Sequence, residues 1–388
     1  MNKTLLLFAL FSIFNFDIKN DLHLTFDRVS PEEAYIGILN NLDPLHPGRG
    51  IDAFNEKELD RPMAYGLILS AESNKFKYTK DSKTLDRIRL CGEWLIRNSD
   101  LNNNGIHGYG LPDPWDAFGD KTVNPANQEY TIDTAVAIKG LLDWYDVEPK
   151  RRKKKEIYNT VFRVLELFLT NKYDSPLGIP GYSLNANDKD KDVFNPAVYL
   201  ADQLRRFATL TSNDSLKTNL NIKSKKIFEI LFSYTQTDSN GNIYWNYGTY
   251  IDSANDLVHA CYMIEGIRSY FKDEGNADVT WNHIVDHLNL FYSNNKWYRY
   301  FEKDLQTDKQ SPRLWSLGML MYSLSREGKY DKVDQILWPQ IQDYYLGDGH
   351  FKYRVGDDRK IITHYGHLLL GLSFYLYNEA SFPHKKNS

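Results

Sequence analysis

The sequence predicts an all-α protein, a closed ring of about six helix hairpins with short β-hairpins in its longer connections. Three observations carry the prediction. Helical periodicity dominates the chain, glycines recur at matched places inside alternate helices, and connections alternate between short and long. The helical segments fall near 31–41, 58–72, 81–98, 129–146, 150–172, 195–211, 215–236, 253–272, 279–292, 312–326, 330–344 and 361–378, which makes six pairs.

Start signals support several of these segments. Ser30-Pro31-Glu32-Glu33 offers an N-cap serine, a proline at the first helical position and a glutamate that completes a capping box. Asn195-Pro196 and Ser311-Pro312 repeat the cap-then-proline pattern. In alternate helices Gly140-Leu141 precedes Trp144, Gly266-Ile267 precedes Tyr270, and Gly371-Leu372 precedes Tyr375. A glycine inside a helix costs about 1 kcal/mol relative to alanine, so its recurrence points to close helix–helix approach. Helices apolar on all sides form an inner ring. Those with one polar face, such as 150–156 and 219–226, form an outer one.

Inner-to-outer links are short, whereas outer-to-inner links are long and aromatic. Examples are Gly108 through Asp120, Gly178 through Asp192, Tyr244-Trp245-Asn246-Tyr247 through Tyr250, Trp297 through Phe301, and His350 through Arg354. All would gather at one mouth, beside the N-termini of the inner helices. From residue 30 onward this organisation resembles the (α/α)6 toroids. That architecture is shared by many glycoside hydrolases, polysaccharide lyases and uronate epimerases, and in another form by terpenoid cyclases and protein prenyltransferases. His364-Tyr365-Gly366-His367-Leu368 resembles the C-terminal region of glucuronyl C5-epimerases. The resemblance implies one toroid over residues 21–388 and an active mouth at the loop end.

Composition narrows the function. Charged residues make up 25% of the chain and the formal net charge is -4, which argues against a nucleic-acid partner. The basic run Lys150–Lys155 reads as the solvated start of an outer helix. The chain holds 27 Tyr, 20 Phe and 8 Trp, rings that combine a flat apolar face with a polar edge suited to sugars. A short positive n-region followed by the apolar run Thr4–Phe16 reads as an export signal within residues 1–20, hence a secreted or periplasmic protein. No other stretch is apolar enough for an integral membrane protein. Cys91 and Cys261 read as buried thiols, and two cysteines exclude a Cys-based zinc site.

No metal or other cofactor is expected, with calcium as the alternative. Asp100-Leu101-Asn102-Asn103-Asn104-Gly105 fits the first half of a calcium loop, but Leu111 stands where the loop needs its glutamate. The alternating Asp188, Asp190 and Asp192 lack the required glycine, and turn chemistry accounts for both runs.

Aligning the inner helices on their glycines places Asp133, His259 and His364 at one level, with Glu129-Tyr130 and Asn255-Asp256 a turn nearer the mouth. Two chemistries compete there. Paired carboxylates suit inverting hydrolysis. Glu129 with Asp256, from different hairpins, is the candidate pair, and Asp116 in Pro114-Trp115-Asp116 is a loop alternative. Alternatively, Arg61, Arg313, His259, His364 and His367 lie near helix starts, with Tyr130, Tyr199, Tyr247 and Tyr250 close by. Cations and helix N-termini would neutralise a sugar carboxylate and acidify C5–H, and His or Tyr would act as base and acid. Bases and phenols outnumber carboxylate pairs, so the sequence favours lyase or C5-epimerase chemistry on a uronate-containing polysaccharide or oligosaccharide. His259, His364, Tyr250, Glu129 and Asp256 are the catalytic candidates. Trp115 and Trp245 join Arg61, Asp116, Tyr130, Tyr199, Tyr247, Arg313 and His367 as substrate-binding candidates. A non-catalytic glycan-binding or polysaccharide-assembly protein, and a terpenoid-cyclase-like toroid, are the other readings.

Overall fold

The computed structural model describes residues 28–276, 278–301 and 311–379. In chain order the helices are α1 (Pro31–Asn40), α2 (Pro62–Thr79), α3 (Ser82–Arg97), α4 (Thr131–Val147), α5 (Arg151–Leu169), α6 (Phe194–Leu210), α7 (Asp214–Ser233), α8 (Leu257–Asp273), α9 (Trp281–Asp286), α10 (Leu314–Arg326), α11 (Tyr330–Lys332), α12 (Trp338–Gln342) and α13 (Ile362–Leu376). Helices α2, α4, α6, α8, α10 and α13 each pack on the next, and α13 packs back on α2. The ring is therefore closed, an (α/α)6 toroid. The remaining helices form the outer layer. The expected leader, residues 1–20, lies outside the described residues.

Glycine makes the closure possible. A Cβ on Gly140 would stand 2.6 Å from the carbonyl oxygen of Gly66 on the neighbouring inner helix, and one on Gly266 would stand 2.8 Å from that of Val198. A Cβ on Gly371 would collide with the Gly318 carbonyl. The inner helices thus meet backbone to backbone. Towards their C-terminal ends, ion pairs join neighbours: Arg206 of α6 with Asp143 of α4 at 2.9 Å, and Arg326 of α10 with Glu265 of α8 at 2.8 Å, with Asp143 also paired within α4 to Lys139 at 2.6 Å.

The long connections carry antiparallel strand pairs, as expected: β1 (Arg49–Gly50) with β2 (Leu59–Asp60), β3 (Gln236–Thr237) with β4 (Ile243–Tyr244), β5 (Asn246–Gly248) with β6 (Ile251–Ala254), β7 (Tyr292–Ser293) with β8 (Lys296–Trp297), and β9 (Tyr345–Gly347) with β10 (His350–Phe351).

Several boundaries differ from the sequence reading, each for a local reason. The capping box at Ser30 forms as expected. Helix α2 instead begins at Pro62, because residues 59–60 pair as a strand, and it continues to the left-handed Lys80. Asn195 lies inside the first turn of α6, since Val193 is held extended by a bridge to Gly248 and becomes the N-cap. Pro312 precedes α10, whose Leu314 N–H is taken by the Tyr353 carbonyl. The segment 330–344 is broken by a π turn over Val333–Leu337. Pro339 has no N–H to continue the α-helical ladder, so the chain widens just before it.

Gly140→Ala tests the closure. Despite alanine's gain of about 1 kcal/mol in helix propensity, overpacking against Gly66 should leave a net loss on the order of 1–3 kcal/mol in chemical denaturation. Unchanged or higher stability would contradict a ring held by backbone contact.

Candidate functional site

The inner-helix N-termini and the long connections meet at one end. Asp133, His259 and His364 sit there on α4, α8 and α13, alternate members of the ring. His259 is fixed from below. Its Nδ1 stands 2.7 Å from Asp256 Oδ1, and Asp256 is also the N-cap of α8. The other Asp256 oxygen accepts from Arg299 Nε at 3.2 Å. Burial works against ionisation of Asp256, yet His259 and Arg299 hold its carboxyl well below the usual range. It is therefore an anion that orients an imidazole, leaving Nε2 of His259 as the nitrogen available to a ligand.

His364 is buried, and its Nδ1 has no hydrogen-bond partner. Burial first, then the neighbouring His367 and Arg313, push its pKa far down, so the imidazole is neutral. Trp315 lies between the two histidines. Its indole stacks on His364 with centroids 5.0 Å apart at 10°, and it meets His259 edge-on at 6.3 Å. Tyr247 packs on the other side of His259 at 4.9 Å. Arg313, the N-cap of α10, lies over the Trp315 and Tyr353 rings. Among the described residues it forms no ion pair, and its Nε has no partner. Burial and the nearby Arg299 both lower its pKa.

Deeper in the ring, Tyr262 hydroxyl donates to His367 Nε2 at 2.6 Å, because His367 Nδ1 is committed to the Thr363 carbonyl at 2.5 Å. Tyr199 packs edge-on against Tyr262, and its hydroxyl has no partner. On the α4 side, Asp133 is buried with one oxygen unpartnered. Burial, then the Asp52 carboxylate, push its pKa up to about 7 against the opposing pull of Arg61.

The structure brings together His259, His364, Arg313 and Tyr247, with His367 and Tyr199 beneath them. It places the other candidates apart. Glu129 is buried beside Gly108, receives a hydrogen bond from Gln128 at 3.0 Å, and is also hydrogen-bonded by the Asn102 and Asn104 side chains; burial raises its pKa. Asp116 accepts from the backbone of Gly119 and Lys121, a turn-forming role. Trp245 is wholly buried against His287. Tyr130 is buried, its hydroxyl held by Asn124. Arg61 is buried and already matched by Asp52 at 3.6 Å and Asp113 at 3.3 Å. Tyr250, by contrast, borders the cluster: its ring meets Tyr247 edge-on at 6.4 Å and Phe118 at 5.3 Å. Trp115 packs against Phe54, with ring centroids 4.1 Å apart and the rings tilted by 51°.

Sequence reasoning missed Arg299, Trp315 and Tyr353 as site residues. Arg299 and Tyr353 lie in aromatic connections that were legible, but only the fold turns them towards α8 and α13. Cys91 and Cys261 are free and buried, as expected. Among the described residues no cluster of three or more His, Cys, Asp or Glu is placed to hold a metal. Asp100 carboxylate oxygens accept from the backbone of Asn104 and Gly105, and Asp188 accepts from Asn124 and Ser183. No described helix is long and apolar enough to cross a membrane.

No protein-family profile and no curated protein sequence matches this chain. Solved structures do. A cellobiose 2-epimerase from Bacillus thermoamylovorans superposes with a TM-score of 0.59 at 12% identity, covering 88% of this chain and 98% of that one. An unsaturated glucuronyl hydrolase specific for heparin gives 0.59 at 10%, covering 89% and 95%. A polysaccharide lyase gives 0.55 at 14%, covering 89% and 97%. At these identities the likeness establishes the shared toroid.

The raised pKa of Asp133 has a thermodynamic signature. Between about pH 4 and 7 the unfolded chain releases this proton while the native state retains it, so stability falls with rising pH over that window and levels off above it. Asp133→Asn removes the group. The melting temperature of the variant relative to wild type should rise from pH 4 to 7 and then plateau. A pH-independent difference would place the carboxyl in an ordinary, solvated setting.

Proposed function

We propose that the protein is a carbohydrate-active enzyme of the secreted or periplasmic space that moves a proton at a sugar carbon, by lyase or C5-epimerase chemistry on a uronate-containing polysaccharide. The observation that carries this reading is the pair His259 and His364, at one level on either side of Trp315. One is oriented by a carboxylate and the other is neutral with an unpartnered nitrogen. The likeness to the toroids of a cellobiose 2-epimerase, a polysaccharide lyase and an unsaturated glucuronyl hydrolase supports the carbohydrate class. The export-type leader in the sequence supports the location.

In this mechanism Arg313, with Arg299 beside it, receives the uronate carboxylate and stabilises the charge that develops when C5–H is removed. Neutral His364 takes that proton. Asp256, bonded to His259 Nδ1, fixes which ring nitrogen faces the substrate, and His259 delivers a proton from Nε2. Delivery to the opposite face of C5 inverts the centre. Delivery to the departing O4 cleaves the C4–O4 bond and leaves a C4=C5 double bond. Both outcomes balance without an oxidant or reductant.

Asp133 favours a second reading, hydrolysis, because a carboxyl that keeps its proton near neutrality can serve as general acid. The pair Glu129 and Asp256 has less support. Asp256 is committed to His259 and Arg299, and Glu129 faces the Asn102–Gly108 loop.

The test is incubation with neutral and uronate polysaccharides, following reducing ends, ultraviolet absorbance of unsaturated uronate, and deuterium uptake at C5. Absorbance or deuterium uptake is expected, and His364→Asn should reduce it by about 10²–10⁴-fold. New reducing ends without either signal would overturn the proton-transfer reading in favour of hydrolysis. Glycan binding without any turnover would overturn it in favour of a binding protein.

A further inference from the structure

The cation and the base of the reacting end share two aromatic rings. The guanidinium of Arg313 lies over Trp315, 5.5 Å from the ring centroid, and over Tyr353 at 5.6 Å. The His364 imidazole packs on the same two rings. It is stacked on Trp315 at 5.0 Å and 10°, and it meets Tyr353 at 4.9 Å with a tilt of 42°. Arg313 and His364 are thus joined through ring faces rather than through water. Either ring attracts positive charge, and with little polarisable solvent between them two charges interact more strongly than across an open cleft.

Arg313 is also the cation left uncompensated around His364. On α13 itself, His367 has Nδ1 committed to the Thr363 carbonyl, and burial keeps its pKa at about 4, so it is neutral. In the connection before α13, Arg359 is paired with Asp357 at 2.7 Å. From the α8 side, His259 lies beyond Trp315 and is tied to Asp256, which Arg299 also holds. At the head of α2, Arg61 is matched by Asp52 and Asp113. Among the described residues Arg313 has no such carboxylate.

His364 has no hydrogen bond with which to offset that charge. An imidazolium donates from both nitrogens, and its Nδ1 has no acceptor. Burial, His367 and Arg313 therefore all press the ring towards its neutral form. Burial and His367 are set by the fold. The charge at Arg313 is the contribution that a ligand can cancel, and an anion placed there favours the protonated imidazole.

We propose that the base is switched on by the substrate's own charge: a carboxylate docked at Arg313 offsets the guanidinium and makes His364 basic, with Trp315 and Tyr353 as the positioning residues that couple the two. Selection for an acidic sugar then acts on proton removal as well as on binding. A neutral sugar in the mouth leaves His364 a weak base, so discrimination appears in kcat and not only in KM. This deepens the proton-transfer reading and rests on it.

Nitrogen-15 NMR of the histidine-labelled full chain tests the coupling without turnover, with the His364 signals identified by their loss in His364→Asn. Titration down to pH 4 is followed with glucuronate, with glucose and with no sugar. Glucuronate should raise the His364 midpoint by about one pH unit, and glucose should leave it in place. Arg313→Gln should raise the midpoint by a similar amount with no sugar, and glucuronate should then add nothing. Trp315→Leu, which admits water between guanidinium and imidazole, should at least halve the rise caused by glucuronate, whereas Trp315→Phe should keep most of it. A midpoint that Arg313→Gln leaves unmoved, or a ring that stays neutral to pH 4 in every sample, overturns the switch. A rise that survives Trp315→Leu in full overturns the part given to the indole. A raised midpoint in Arg313→Gln with no response of the wild type to glucuronate would overturn the uronate reading, while the coupling of arginine to histidine stands.

Discussion

Closure of the inner ring is the constraint on which everything else depends. Six helices can enclose a common axis only if neighbours approach closely, and at Gly66–Gly140 and Gly318–Gly371 the backbones themselves touch. That approach fixes the rotation of each helix, and so decides which first-turn residues point to the axis. Because every inner helix runs the same way, all their N-termini and all the long connections meet at one end. Asp133, His259 and His364 come to a common level from segments more than a hundred residues apart because the same packing recurs at each step.

Within that frame, the chemistry of each group is set by its immediate partners. Asp256 and Asp133 are both buried carboxyls on neighbouring levels of the mouth. Asp256 faces an imidazole and a guanidinium and is strongly anionic, whereas Asp133 feels burial and another carboxylate and keeps its proton to about neutral pH. His259 and His364 divide in the same way. One is tied to a carboxylate, and the other is stacked on an indole with a nitrogen to spare. Similar residue types thus acquire different roles on a symmetric scaffold, which is how one toroid hosts several reactions.

The fold was largely legible in the sequence because its signals are local and repeated. Glycines at matched positions, short and long links in alternation, and one-sided polarity in the outer helices all survive without knowledge of long-range contacts. Boundaries were less legible where tertiary pairing overrides the cap signal, as at Val193 and Arg313. The site was legible only in part. The level shared by Asp133, His259 and His364 followed from helix register alone. What register cannot show is where a side chain turns once its loop folds. Glu129 looks identical in sequence to a cavity carboxylate, yet it packs under the Asn102–Gly108 loop. Arg61 looks like a free cation but is already matched by Asp52 and Asp113, whereas Arg313 is not matched by any described carboxylate.

The central claim is that the N-terminal mouth of the ring is the sugar site and that His259, Trp315 and His364 line its reacting end. A crystal structure of the protein soaked with a uronate-containing oligosaccharide tests it most directly. The account predicts a uronate whose carboxylate meets Arg313 and whose C5 lies within reach of both imidazoles. A sugar bound elsewhere, or one in the mouth with its carboxylate turned from Arg313 and both histidines out of contact, would contradict it.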